Sequence, residues 1–229
     1  MFDELKQQLY FVWILLEVVA IWLLAGVGYY YVIVIAGIGD VYSYHPFGIA
    51  AYYLFWVALT LAAFRHFYKE RERIEWHASM FVAIFLGVIG VAWYLLYILP
   101  QFPPVHWASE WEPPAELFYA SPWYFLPKSI EIGLQQLLLA AMVLAFDMRK
   151  LPLNKIALWS AALFGGMHLL LVFNGSSLAY TAFFTASAVV AGFIFPYLML
   201  RVRNGFIYSY FLHWGFYAAV IVLARLFFA

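Results

Sequence analysis

The chain has 229 residues, 67% of them hydrophobic and only 10% charged, where a soluble domain is about half apolar and a quarter charged. A large soluble core is excluded, and an all-α, polytopic transmembrane helix bundle is expected. Formal net charge is zero, which gives no reason to expect a nucleic-acid partner. Cysteine is absent, so disulfides, thiolate nucleophiles and Cys-ligated metals are excluded; no cofactor motif is present, and none is expected to be bound.

A bilayer-spanning helix needs about 20 mostly apolar residues, and seven stretches qualify. The first runs from Leu9 to Ala36 and is long enough to tilt. It exceeds a signal h-region and shows no clear cleavage site, so no cleavable signal peptide is expected. A turn with Asp40, His45 and Pro46 leads to the second span, Phe47 to Phe64. The most charged stretch follows, RHFYKERERIEWH from Arg65 to His77, which reads as a solvated helical extension with alternating charges. The third span is Met80 to Leu99. A loop rich in proline, tryptophan and glutamate, Pro100 to Pro127, precedes the fourth span, Ser129 to Phe146. DMRKLPLN leads to the fifth, Lys155 to Phe173, and NGSS to the sixth, Leu178 to Leu200. RVRNG leads to the seventh, Phe206 to Phe228.

Lysine and arginine mark cytoplasmic loops. With the N-terminus inside, Lys6, Arg65, Lys69, Arg71, Arg73, Arg149, Lys150, Lys155, Arg201 and Arg203 all fall inside, and only Lys128 and Arg225 fall outside. The chain therefore reads as a single membrane domain with a cytoplasmic N-terminus: three spans over 9–99, an outer loop over 100–127 and four spans over 128–229. That loop is acidic, with Glu110, Glu112 and Glu116, and is read as an interfacial cap. Its Trp107, Trp111, Trp123 and Tyr124 belong at headgroup level. Aromatic residues make up 22% of the chain, more than an interfacial belt requires.

Ionisable residues inside a span are costly and mark functional sites by default. Glu17 has no companion motif and reads as structural or interfacial. Glu131, Gln135 and Gln136 stand at i, i+4 and i+5, the first two on one helix face; interhelical hydrogen bonding is their plain alternative role. His168 lies in LFGGMHLL, where Gly165 and Gly166 permit close backbone approach. His213 lies in YFLHWGFY. Each histidine taken alone reads as a packed, hydrogen-bonded residue. The N-x-S match at Asn174 to Ser176 lies in a short turn hugging the membrane and carries little.

Taken in order, these motifs resemble the CAAX prenyl endopeptidase and bacteriocin-processing family of intramembrane proteases, also called the Abi family. Its pattern is EExxxR on one helix, FxxxH on the next and HxxxN on a later one. Phe164 to His168 (FGGMH) matches the second motif fully. Glu131 to Gln136 (EIGLQQ) keeps the leading glutamate, with Ile132 in place of the second and Gln136 in place of the arginine. His213 to Tyr217 (HWGFY) keeps the histidine, with Tyr217 in place of asparagine. The resemblance extends over roughly Pro127 to Ile221.

The resemblance implies a glutamate-dependent intramembrane endopeptidase. Glu131 would be the base that activates water, His168 its helper, and His213 with Tyr217 the donors to the oxyanion. A partly desolvated carboxylate suits base chemistry near neutral pH, and donors aimed at developing charge stabilise acyl transfer. Without the arginine no cation is expected near Glu131. At about 1.5 Å per residue, Glu131 and His168 fall in the outer half of the membrane. By the same rise His213 falls roughly 10 Å from the inner edge, so the three meet only if a helix is kinked or offset.

Two functions follow. An active protease would cut a membrane-anchored peptide, and its Glu131, His168 and His213 would converge in a water-accessible cavity. A catalytically lapsed relative would serve as a binding or assembly subunit of a membrane complex, with partner subunits on its helix faces. The expected surroundings are the lipid bilayer, and the expected location is a prokaryotic plasma membrane. A transporter or channel is disfavoured by the lack of a charged pathway or repeat.

Overall fold

The computed structural model of the protein describes residues 2–36, 42–71, 78–103, 117, 120–174 and 176–228. These form an all-α bundle in which seven helical segments are long and apolar enough to cross a membrane. In chain order the helices are α1 (Phe2–Ala36), α2 (Pro46–Ala63), α3 (Arg65–Arg71), α4 (Ala78–Trp93), α5 (Phe125–Met148), α6 (Leu153–Leu169), α7 (Leu178–Arg201) and α8 (Gly205–Phe228). A π turn over Tyr94–Ile98 and a 3₁₀ turn over Leu99–Gln101 extend α4, and a 3₁₀ turn over Pro122–Tyr124 leads into α5.

The bundle is built around α5. Of the apolar window in Pro122–Met148, 67% is buried, against 11% in Ala78–Gln101. Helix α5 packs against α1, α2, α3, α6, α7 and α8, whereas α4 buries no residue of its own. Helix α1 contributes a narrow buried stripe, Ile14, Val18, Ile21, Ala25 and Tyr29, at the three- and four-residue spacing of one helix face. The tightest helix pair is α6 with α7, which meet through small residues. A Cβ placed on Gly192 would stand 2.4 Å from the Ala161 backbone, and one on Gly165 would stand 2.4 Å from Val189 Cγ2. Where hydrocarbon surrounds the helices, such close packing replaces the hydrophobic drive of a soluble core. Gly166, expected to share this role, has open space beside it.

Contacts sort the turns into two ends. At one end the Arg149 guanidinium lies 4.9 Å from the Tyr10 ring, Tyr10 bonds His66 of α3, and Asn204 Nδ2 donates to Ser79 Oγ. At the other end the Ser121 backbone N–H donates to Ser43 Oγ, and Arg225 donates to the carbonyls of Leu99, Phe102 and Ala120. The basic turns with Arg149, Lys150, Arg201 and Arg203 lie at the first end, which the lysine and arginine bias assigns to the cytoplasm. Arg225 lies at the second end and ties the α4 extension and the 120 region to α8.

Three sequence expectations are corrected. Helix α5 begins at Phe125 rather than Ser129, because Pro127 sits in the first turn, where a missing N–H costs nothing. The Arg65–His77 stretch is more than a solvated extension. Its α3 part buries Phe67 and sends the Tyr68 hydroxyl to the Leu137 carbonyl of α5. Tyr124 is buried in the bundle rather than turned to its surface, while Trp123 is exposed. Glu17 is half-buried. Asp40, Trp107, Trp111, Glu110, Glu112, Glu116 and residue 175 of the N-x-S match lie outside the described residues.

Candidate functional site

The site begins with the first two turns of α5. Lys128 and Glu131 stand at i and i+3, so their side chains lie one above the other on the helix. The Lys128 ammonium donates to Glu131 Oε2 at 2.9 Å. Both side chains are largely buried, with relative exposures of 10% and 15%. The Tyr42 hydroxyl donates to the same carboxylate oxygen at 2.8 Å, and Gln135 Nε2 donates to Oε1 at 3.0 Å. Every donor is supplied by a nearby element: α5 itself for Lys128 and Gln135, and the α1–α2 turn for Tyr42. Tyr42 also shares a 2.8 Å hydrogen bond with the Tyr53 hydroxyl of α2. Burial, and then the negative charge of Glu131, push the Tyr42 phenol well above its ordinary range, so it stays a protonated donor.

Lys128 has aromatic partners too. Its ammonium lies 4.2 Å from the centre of the Tyr217 ring and 5.9 Å from that of Tyr42. A cation desolvated against ring faces gains about 2 kcal/mol or more from such contacts. The cation that the resemblance leads one to seek at position 136 is therefore supplied from position 128, on the other side of the glutamate. The expectation of no cation near Glu131 is overturned.

These groups line a chamber of about 240 Å³. Six tyrosines contribute to its wall, Tyr29, Tyr42, Tyr53, Tyr124, Tyr180 and Tyr217, together with Lys128, Glu131, Gln135 and His168. Part of the aromatic excess thus resides in one chamber. The buried Gln135 Oε1 on this wall has no hydrogen-bond partner. His168 Nδ1 donates to the Phe164 carbonyl at 2.7 Å, since a carbonyl can only accept. In the neutral ring that leaves Nε2 as the lone-pair nitrogen.

Glu131, His168 and Tyr217 share the chamber wall, but His213 is not part of it. His213 Nδ1 is bonded to Gln136 Nε2 at 3.1 Å, and Gln136 Oε1 accepts from Ser209 Oγ at 3.0 Å. The Phe164 ring stands between the histidines, 5.0 Å from His168 and 5.6 Å from His213 between ring centres. Among the described residues no hydrogen bond joins Glu131 to either histidine.

Comparison with known proteins adds no relative. No family model, curated protein or solved structure matches the chain. The chemistry must be read from the geometry alone. No group of three or more histidine, aspartate or glutamate side chains that could hold a metal occurs among the described residues. What the arrangement can do is present a fixed, charge-neutral lysine–carboxylate pair, with hydroxyl and amide neighbours, to a group entering a tyrosine-lined chamber within the membrane-spanning region.

The sequence reading missed Lys128, Tyr42, Tyr53, Tyr124 and Tyr180. Lys128 had a signal, its i, i+3 spacing to Glu131, which the proline before it hid. The tyrosines had none, because their convergence depends on how four separate segments pack.

Proposed function

We propose that this integral membrane protein, a degenerate relative of the CAAX prenyl endopeptidase and bacteriocin-processing family, binds a ligand in the Glu131 chamber without cutting it. On this reading it serves as a binding or assembly subunit in a prokaryotic plasma membrane. The observation that carries the proposal is the occupation of both Glu131 oxygens. Lys128 and Tyr42 hold Oε2, and Gln135 holds Oε1. A general base needs an oxygen within about 2.6–3.2 Å of the proton it takes. Here three protein donors take three of the carboxylate's roughly four acceptor sites, which holds it as a hydrogen-bonded anion rather than as a free base.

Hydrolysis is the second reading, favoured by one specific observation. Glu131 and His168 face one chamber, and the tautomer of His168 leaves Nε2 able to accept a proton. The two readings separate in one assay. Purified wild type, Glu131→Ala and His168→Ala in nanodiscs are incubated with a library of membrane-anchored peptides, and cleavage is read by mass spectrometry. Background turnover in all three is expected. Turnover by wild type that both substitutions abolish would establish the protease and overturn the binding reading.

A further inference from the structure

The chamber has a neighbour. A second cavity, of about 780 Å³, lies beside it, walled by α7 and α8 with Phe164 and His168 of α6. Its wall is almost wholly apolar, with Phe183, Val190, Ile194 and Leu212 among its members. Those four side chains are also substantially exposed, so the cavity opens sideways between α7 and α8, within two membrane-spanning segments. His168, Phe184 and Tyr217 belong to both walls. The two spaces therefore adjoin at these three side chains. One is mixed, with tyrosines and the Lys128–Glu131 pair in its wall; the other is apolar and open to the side from which lipid would enter.

We infer that the two cavities form one bipartite site for a single-chain amphiphile, its hydrocarbon tail lying between α7 and α8 and its neutral, hydrogen-bonding head reaching the Lys128–Glu131 pair. The inference rests on the binding reading above and names its ligand class. Three features set the chemistry. The apolar cavity falls within the roughly 300–1,000 Å³ of small-molecule sites, which are mostly apolar with a few placed polar groups. The ion pair carries no net charge, so it does not attract a charged head. It offers one donor and one acceptor. A head that both donates and accepts, such as a primary amide, matches this set. A charged head would bring an uncompensated charge into a region where isolated charges are expensive.

Two glycines permit a clean test. Gly26 lines the Glu131 chamber and Gly215 the apolar cavity, and a Cβ on either meets nothing within 4 Å. At each position a leucine Cβ meets no clash, its branched end adds bulk beside the cavity that the glycine lines, and leucine is the better helix former. The full chain in nanodiscs is incubated with palmitamide carrying a diazirine in mid-chain, illuminated, and digested for mass spectrometry. Crosslinks are expected on residues 186–194 of α7 and 212–219 of α8. Gly215→Leu, Gly26→Leu and Lys128→Met should each reduce them about tenfold, the change that about 1.4 kcal/mol of lost binding produces. Crosslinks equally dense on α4, or unchanged by Gly215→Leu, would overturn the bipartite site. Crosslinks retained in Gly215→Leu but lost in Gly26→Leu would overturn the tail assignment and leave the chamber as the binding site. Glu131-dependent peptide cleavage in the same nanodiscs would overturn the binding reading alone, since the crosslink map is read independently of turnover.

Discussion

Helix α5 carries two buried polar clusters, and they are built on opposite terms. Lys128 and Glu131 are charged, and with Gln135 they borrow Tyr42 from the α1–α2 turn and face a chamber. One residue further round the helix, Gln136 is neutral and points to α8, where His213 and Ser209 take both ends of its amide. Gln136 is fully buried and lines neither cavity. The second cluster is self-contained glue between two helices, the ordinary use of polar side chains in membrane bundles. The first costs the desolvation of two charges and leaves Gln135 Oε1 partnerless. An expensive charged cluster on a chamber wall suits a binding site, and a cheap neutral one whose members bond one another suits packing.

Breaking the charged cluster should have the largest effect. Lys128→Met leaves a buried carboxylate without its cation, which costs about 3–5 kcal/mol when one partner of a buried pair is removed. Unfolding in mixed detergent micelles with increasing SDS, followed by circular dichroism, measures it. Adding Glu131→Gln to that variant should restore most of the loss, because replacing both charges by uncharged groups of similar volume is near neutral. A double variant as unstable as the single one would mean that the pair holds α5 in place rather than serving a ligand.

Breaking the neutral cluster should cost less. Gln136→Leu leaves the buried His213 Nδ1 without its partner, while Ser209 keeps its bond to the Phe206 carbonyl. One unsatisfied buried group costs about 1–3 kcal/mol. The same unfolding titration reads it, and the crosslinking of palmitamide should fall far less than in Gly215→Leu, even though His213 lines the apolar cavity. A loss of crosslinking in Gln136→Leu would join the two clusters into one functional unit and break the contrast.

The sequence made this contrast only half legible. Seven apolar stretches, the basic turns and the cost of Glu131 and His168 were plain from residue type and spacing, because hydropathy and helical period are local properties. The pairing of Gln135 with Glu131 followed from an i, i+4 interval. Three things depended on packing and were not legible. Pro127 concealed that Lys128 is a helical residue beneath Glu131. Tyr42 reaches the carboxylate across 89 positions of chain. The helix offsets that bring Tyr217 over Lys128 turn His213 away to Gln136. The resemblance led one to expect His213 and Tyr217 at one oxyanion site. Tyr217 lies on the walls of both cavities and His213 only on that of the apolar one.

Tyr42 tests the separation of the clusters most directly. Tyr42→Phe removes one of three donors to Glu131, together with the bond to Tyr53, and leaves Lys128 and Gln135 in place, so a loss of about 1.5–3 kcal/mol is expected, the worth of a hydrogen bond to a charged group. Its value lies in combination. Paired with Lys128→Met, which acts on the same carboxylate oxygen, Tyr42→Phe should be non-additive, with an interaction term of about 0.5–3 kcal/mol. Paired with Gln136→Leu, which shares no hydrogen-bond partner with it, the losses should add to within about 0.5 kcal/mol. Additivity in the second cycle together with coupling in the first would show that neighbouring residues of one helix turn belong to two independent networks. Coupling in both would mean that α5 transmits strain between its faces, and that a ligand in the chamber is felt at His213.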